Sequence, residues 1–221
     1  MIELYTSEGC SSCPPADRWL STLKVPAAKR GAVVQAFHVG YWDYIGWVDR
    51  FAAPLHTTRQ NEIAHANRLS TIYTPQVVRD GLDWPRWRGG SAVLESTESA
   101  QAEIELRRTA NGPDGDRFDA QVTPTGGADT PWAAYWSVTE HGHDSKVRAG
   151  ENAGESLKHD FVVRQYVPVG SYRGPATLSF SSIAADPAHP RQVNLVVFEP
   201  ASGKPLQALS LSCEVGRLSL S

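Results

Sequence analysis

The chain has 221 residues, of which 41% are hydrophobic and 20% charged, a composition that supports a packed core and excludes wholesale disorder. Twenty-one Lys and Arg against 24 Asp and Glu give a net charge of −3; without a dense basic block, that balance excludes a nucleic-acid binder dominated by phosphate contacts. No apolar run approaches the ~20 residues of a membrane span, and three cysteines are too few for a disulfide-stapled scaffold.

The first five residues read directly as strand, with no basic leader, long apolar stretch or cleavage site, so the chain as written carries no export signal. Residues 2–6 predict a short strand. Ala16, Trp19, Leu20 and Leu23 recur at helical spacing and predict a helix that ends before Val25-Pro26. The nearly continuous apolar run 32–39 predicts a strand covered on both faces. A second amphipathic helix is expected over 57–69, then a strand over 72–78 and a turn at Asp80-Gly81. This β-α-β-α-β order predicts an α/β layer on a central sheet. A helix over 91–101 would close it.

Beyond residue 104 the pattern changes. Segments 104–107 and 118–122 alternate strictly around Asn111-Gly112-Pro113-Asp114-Gly115, a hairpin signal. Further strands are expected over 132–138, 158–166, 176–181, 193–198 and 206–211, at the spacing of an all-β sandwich. Length and texture together predict two domains.

Cys10-Ser11-Ser12-Cys13 falls between the first strand and the first helix. A helix N-terminus offers unpaired N–H groups and about half a unit of positive charge, which lowers a thiol pKa from ~8.5 toward ~3.5–7.5. Cys10 would then be the nucleophile, and Cys13, about one turn on, the resolving thiol. Pro14 and Pro15 fit the first helical turn. Two other readings stay open: a copper or zinc site with His38 as third ligand, and a pair of inert thiols. At the head of the third strand, Pro75 is anomalous unless it acts there. Beside the cysteine pair, a cis Thr74–Pro75 bond is expected, turning backbone N–H and C=O groups toward an extended substrate. A trans proline opening an edge strand is the alternative.

These residues carry a resemblance. Leu4-Tyr5-Thr6, Gly9-Cys10, Cys13 and Thr74-Pro75-Gln76-Val77-Val78 with Asp80-Gly81 are similar to the two active-site motifs of glutaredoxins and thioredoxin-like proteins. The longer strings at 10–17, 37–47, 73–81, 150–154 and 159–164 resemble domain of unknown function 1223, a family of secreted bacterial thioredoxin-like proteins. The resemblance covers nearly the whole chain. It implies a thioredoxin-like α/β domain over 1–100 followed by an all-β, sandwich-like domain over 101–221, and a periplasmic or secreted location. It implies no substrate. Ser7 stands where glutaredoxins carry a basic residue, which weighs against glutathione dependence, and Gly40 stands where the family commonly has Asp.

The expected function is thiol–disulfide oxidoreductase activity on a protein or peptide, with no cofactor, no nucleic acid and no membrane span. Cys10 and Cys13 would be catalytic; Thr74, Pro75, Trp42, Ser11 and Ser12 would bind substrate. The second domain would supply substrate recognition or a homodimer interface. Two alternatives remain: a copper-binding or metal-delivery protein using Cys10, Cys13 and His38, and a non-catalytic interaction module with a structural disulfide. Tyr41-Trp42-Asp43-Tyr44-Ile45-Gly46-Trp47 would form either an aromatic wall beside Cys10 or a small core. His38 could shuttle protons, bind metal or be structural, and Asp43 could accept a proton from Cys13. Asp17 is expected to face solvent. His141-Gly142-His143-Asp144 reads as a solvated loop despite its metal-like spacing, and Cys213 as a core or interface residue. The Trp/Arg-rich loop 84–90 would either border the site or stack Trp on Arg for local order, and the second is expected.

Overall fold

The computed structural model of the chain describes residues 1–88, 94–95 and 98–213. β1 (Ile2–Thr6) is buried along its whole length, as is β2 (Val34–His38), which lies parallel to it with Thr6 opposite His38. Between them run α1 (Pro14–Ser21) and α2 (Lys24–Arg30). α1 ends before Val25-Pro26 as expected, but these two residues lie in the first turn of a second helix. Proline suits a first turn, where its N–H has no intrahelical partner to lose. α3 (Pro54–Ala66) likewise starts on a proline, three residues before the apolar periodicity begins. β3 (Gln76–Arg79) pairs antiparallel with β1, and β4 (Leu82–Asp83) folds back on β3 through Asp80-Gly81.

The remaining strands are β5 (Ala102–Ala110), β6 (Arg117–Pro124), β7 (Pro131–Glu140), β8 (His143–Lys146), β9 (Ser156–His159), β10 (Val162–Arg173), β11 (Ala176–Ser181), β12 (Arg191–Phe198) and β13 (Pro205–Ser212). β5 and β6 form the expected hairpin, and β6 buries alternate residues. The single strand expected over 158–166 is two. Phe161 takes φ +58, uncommon for a bulky residue, and this pivot sends β9 to pair with β8 while β10 enters a larger sheet.

That larger sheet has eight strands in the order β13-β12-β7-β10-β2-β1-β3-β4. It corrects the fold class drawn from the resemblance. The chain is mostly β, 41% strand against 16% helix, and a thioredoxin-like α/β domain followed by an all-β sandwich is not its architecture. The reason lies in β2, whose two edges both need partners. β1 takes one; the other is taken by β10, through Val162 opposite Ala36 and the Ala36 N–H donated to the Phe161 carbonyl. Alternation alone could not reveal a pairing so distant in sequence.

On one face of the sheet, α1 and α2 cover Ile2, Leu4, Val34, Ala36 and Val77. Trp132, Trp136, Val193 and Leu195 pack against Phe118, Val122, Leu178 and Phe180 of the three-stranded sheet β11-β6-β5. A third core joins Tyr5 and Phe37 to Ile63 of α3 and to Tyr135, Val163 and Val196. The helix expected over 91–101 falls mostly outside the described residues, as do Gly89, Gly90 and the end of the last apolar alternation beyond Cys213.

Candidate functional site

The parallel strands β1 and β2 end side by side at Thr6 and His38, and the carboxyl ends of parallel strands are where α/β sheets place their ligand crevices. From Thr6 the chain enters a tight turn, with the Cys10 N–H donating to the Ser7 carbonyl at 3.2 Å and the Cys13 N–H to the Cys10 carbonyl at 3.2 Å. Cys10 and Cys13 are joined in a disulfide. Both are buried, whereas Ser11 and Ser12 between them are exposed, and the Ser12 hydroxyl lies 3.3 Å from Cys10 Sγ. Asn152 Nδ2 holds the turn from the other side by donating to the Glu8 and Cys10 carbonyls at 2.8 and 3.0 Å, and Glu151 accepts the Ser11 N–H at 3.0 Å.

The helix start offers the sulfurs less than the sequence promised. Cys13 is the cap of α1, Pro14 and Pro15 carry no N–H, and the Ala16 and Asp17 N–H groups both donate to the Cys13 carbonyl, at 2.8 and 3.1 Å. No backbone donor of the first helical turn is left for a thiolate.

Trp42 joins the predicted elements. Its indole N–H donates to Thr74 Oγ1 at 2.8 Å, next to the Thr74–Pro75 bond, which is cis. Its Cβ lies where a side chain on Gly9 would begin, 2.9 Å from that ideal position, so only glycine permits this approach to the cysteine turn. The aromatic segment is therefore a cover over the turn that is also tied to Thr74. Tyr44, at 81% exposure, projects from it. Asp43 is half-buried, its carboxyl raised by burial, and it accepts the Asp49 N–H at 3.1 Å.

Beneath the turn lies a group that the sequence did not assemble. Asp17 is buried, not solvated as expected, and accepts the Thr6 hydroxyl at 2.9 Å. His38 is fully buried, with Nδ1 2.7 Å from Asp49 Oδ2, and Asp49 also accepts the Glu8 N–H at 2.9 Å. His159, brought in by the pivot at Phe161, sets Nε2 3.3 Å from Glu8 Oε1 and Nδ1 3.7 Å from Asp17 Oδ1. Burial alone would lower the His159 pKa, but the facing carboxylates of Asp17 and Glu8 prevail and raise it to about 10. Burial would likewise raise Asp49, but the charge and hydrogen bond of His38, with the Glu8 and Phe51 N–H groups, bring it down to about 2. Trp47 donates to Glu8 Oε2 at 2.7 Å. Trp47, Asn152 and His159 lie in strings that carry the family resemblance, but neither they nor Glu8 and Asp49 form a local motif that assigns them a shared site. Their positions are far apart in the chain, and only the β2–β10 pairing brings Asn152 and His159 to Glu8, Trp47 and Asp49.

The other singled-out residues lie apart. Trp84 and Trp87 pack on Trp19 at 6.2 and 5.3 Å, and Arg88 sits 4.8 Å from the Trp87 ring, the expected Trp–Arg stack. His143 is buried against Glu140 at 2.9 Å and His141 faces Asp160 at 3.5 Å, so this run is not the solvated loop its polarity suggested. Cys213 is a free, buried cysteine in the core under the three-stranded sheet.

The profile of a family described as "Protein of unknown function (DUF1223)" matches residues 1–199. The chain belongs to the DUF1223 family. A solved protein of Agrobacterium tumefaciens is similar over 98% of this chain and 95% of its own, at 23% identity and a TM-score of 0.69. HBP35 of Porphyromonas gingivalis is similar over 100% of this chain and 76% of its own, at 12% identity and a TM-score of 0.68. At these identities the two share the fold of this DUF1223 chain and nothing more is carried over. Comparison with curated proteins gives no match. No helix among the described residues is long and apolar enough to cross a membrane.

Proposed function

We propose that this DUF1223 protein is a thiol–disulfide oxidoreductase acting on protein or peptide substrates, and that it works on the reducing side. The observation that carries the reading is the Cys10–Cys13 disulfide in a turn flanked by two exposed serines and covered by Trp42, which is itself hydrogen-bonded to Thr74. In the dithiol form, Cys10 thiolate attacks a substrate disulfide and expels one substrate thiolate. Cys13 then attacks the Cys10 sulfur of the mixed disulfide, releasing the second substrate thiol and closing Cys10–Cys13. Two electrons pass to the substrate, and a dithiol reductant restores the pair. Cys10 is buried, so an incoming chain requires movement at the turn, where Trp42 packs on Gly9, and Tyr44 in the same segment gives that chain an apolar contact.

The direction follows from what the thiolate lacks. A strongly oxidising pair has its reduced form stabilised by a low-pKa thiolate. Here the prolines and the Cys13 carbonyl leave the helix start without free donors, and the Glu151 carboxylate stands against the turn. The reduced form gains little, so the disulfide is favoured and the pair is a reductant once reduced.

The test is equilibration of the full chain in glutathione and dithiothreitol buffers, with alkylation and mass analysis. The expected midpoint is at or below about −270 mV, the thioredoxin end of the catalytic range. A Cys13→Ser variant should accumulate a mixed disulfide on Cys10 with a protein disulfide. A midpoint above about −180 mV overturns the reducing direction, and failure of the reduced chain to exchange with any protein disulfide overturns the activity.

A further inference from the structure

Below the cysteine turn, Asp17, His38 and His159 each present a ligand atom, and these three atoms all lie within 4.8 Å of one another in a buried setting. Donors around a tetrahedral zinc ion at 2.0–2.2 Å stand roughly 3.4 Å apart, so modest side-chain rotation closes this group onto an ion. Two imidazoles and one carboxylate form a donor set suited to divalent transition metals, and they leave a further coordination position.

The hydrogen-bond pattern decides which atoms are free. His38 gives Nδ1 to Asp49 at 2.7 Å, and its Nε2 is buried with no hydrogen-bond partner. His159 turns Nε2 toward Glu8 at 3.3 Å and Nδ1 toward Asp17 at 3.7 Å; both nitrogens are buried without an aligned hydrogen bond. Asp17 uses Oδ2 for Thr6 and keeps Oδ1 toward His159. Each histidine thus faces a carboxylate with one nitrogen and the common centre with the other. This is the arrangement by which metal-ligating histidines are oriented and made more basic from behind. The backing carboxylates are themselves fixed: Asp49 by the Glu8 and Phe51 N–H groups at 2.9 Å each, Glu8 by the Trp47 indole at 2.7 Å. His38 Nε2, buried without a partner, calls for an occupant; His159 would give up its proton to the ion, as metal-ligating imidazoles do, and close around it with Asp17 and His38.

We propose that Asp17, His38 and His159 bind one divalent transition-metal ion, with Asp49 and Glu8 as the carboxylates behind the two histidines. The ligands come from α1, β2 and β9, so the ion would join the start of the chain to its distant half. Because all three ligands are buried, loading belongs to folding and not to a surface exchange.

The full chain is unfolded, freed of metal with chelator, and refolded with excess Zn²⁺ or Co²⁺; unbound ion is then removed by gel filtration. One equivalent per chain should be retained, and the Co²⁺ form should show visible bands without a thiolate charge-transfer band. A Cys10→Ser/Cys13→Ser variant should retain the same equivalent and the same spectrum. His38→Gln and His159→Gln should weaken binding at least about 100-fold, and Asp49→Asn about 10–100-fold. Retention of well under one equivalent by the wild-type chain overturns the site, whatever the variants do. A thiolate band that disappears with the cysteines, or full binding in both histidine variants, overturns the assignment of the ligands. Neither outcome bears on thiol exchange, which is read in metal-free protein.

Discussion

Two of the buried charged clusters among the described residues meet at β1, and they differ in how far their polar groups are paired. In the first, Glu3 of β1 meets the Arg59 guanidinium of α3, with Nε at 3.0 Å, and also accepts the Tyr135 hydroxyl of β7 at 2.7 Å. Gln35 Nε2 donates to the Tyr135 oxygen at 2.8 Å, and its own side-chain oxygen accepts the Ser137 hydroxyl. Burial would discharge Arg59, but Glu3 and the surrounding tyrosine oxygens hold it charged, well above its ordinary range. In the second cluster, the His159 nitrogens stand 3.3 and 3.7 Å from Glu8 and Asp17 as ion pairs without aligned hydrogen bonds, and His38 Nε2 is buried without a partner. A complete cluster specifies how β1, β2 and β7 lie across the sheet. An incomplete one costs stability and stays in a fold when something else completes it.

The largest effect should come from breaking the complete cluster. Arg59→Met leaves the Glu3 carboxylate buried without its countercharge and should cost about 3–5 kcal/mol in urea unfolding. Adding Glu3→Gln to it should recover part of that loss, because the stranded charge is then gone. The same Glu→Gln change in both clusters is the sharper comparison. Glu3→Gln strands Arg59 and should cost nearly as much as Arg59→Met. Glu8→Gln in metal-free protein keeps an oxygen for the Trp47 indole and removes one of the two carboxylates facing His159, Asp17 remaining as the other, so a smaller loss of about 1–3 kcal/mol is expected. Equal losses in the two variants would mean that the second cluster is as complete as the first.

How much of this could be read in the sequence depended on distance along the chain. Local signals served well. The alternation of 118–122 became β6, the run 32–39 became β2, and Cys10 and Cys13 were found paired, with Trp42 and Thr74 in one contact beside them. The fold class did not survive, because the β-α-β-α-β reading took the first hundred residues as a self-contained layer and found no partner for the second edge of β2. Its free edge is filled by β10, more than 120 residues later, and no periodicity in either strand encodes that pairing. The same seam hid the second cluster. Asp17 looked solvent-facing because it is a charged residue outside the apolar positions Ala16, Trp19, Leu20 and Leu23, and only β9, delivered by the turn at Phe161, buries it under His159.

A smaller effect tests the cover above the incomplete cluster. A methyl group on Gly9 would meet Trp42 Cβ at 2.9 Å, and the backbone on both sides is held by hydrogen bonds. Gly9→Ala should therefore cost about 1–3 kcal/mol through overpacking. It should also speed alkylation of reduced Cys10, since Trp42 must withdraw to make room. Unchanged alkylation with lost stability would show that Trp42 packs the turn without controlling access to it.

The smallest expected effect lies at Ser12, whose exposed hydroxyl stands 3.3 Å from Cys10 Sγ. With both helix-start prolines lacking an N–H and the next two N–H groups already taken, this hydroxyl is the donor that remains close to a Cys10 thiolate. Ser12→Ala should raise the Cys10 pKa by up to about one unit, which is about 1.4 kcal/mol of lost preference for the thiolate. Unfolding should shift by no more than about 0.5 kcal/mol, because the side chain is at the surface. The pH profile of Cys10 alkylation measures the shift. No shift would mean that the thiolate draws its stabilisation from below, where a cation held by Asp17, His38 and His159 would supply it. The same profile repeated on metal-loaded Ser12→Ala protein separates those two sources, because only the second responds to the ion.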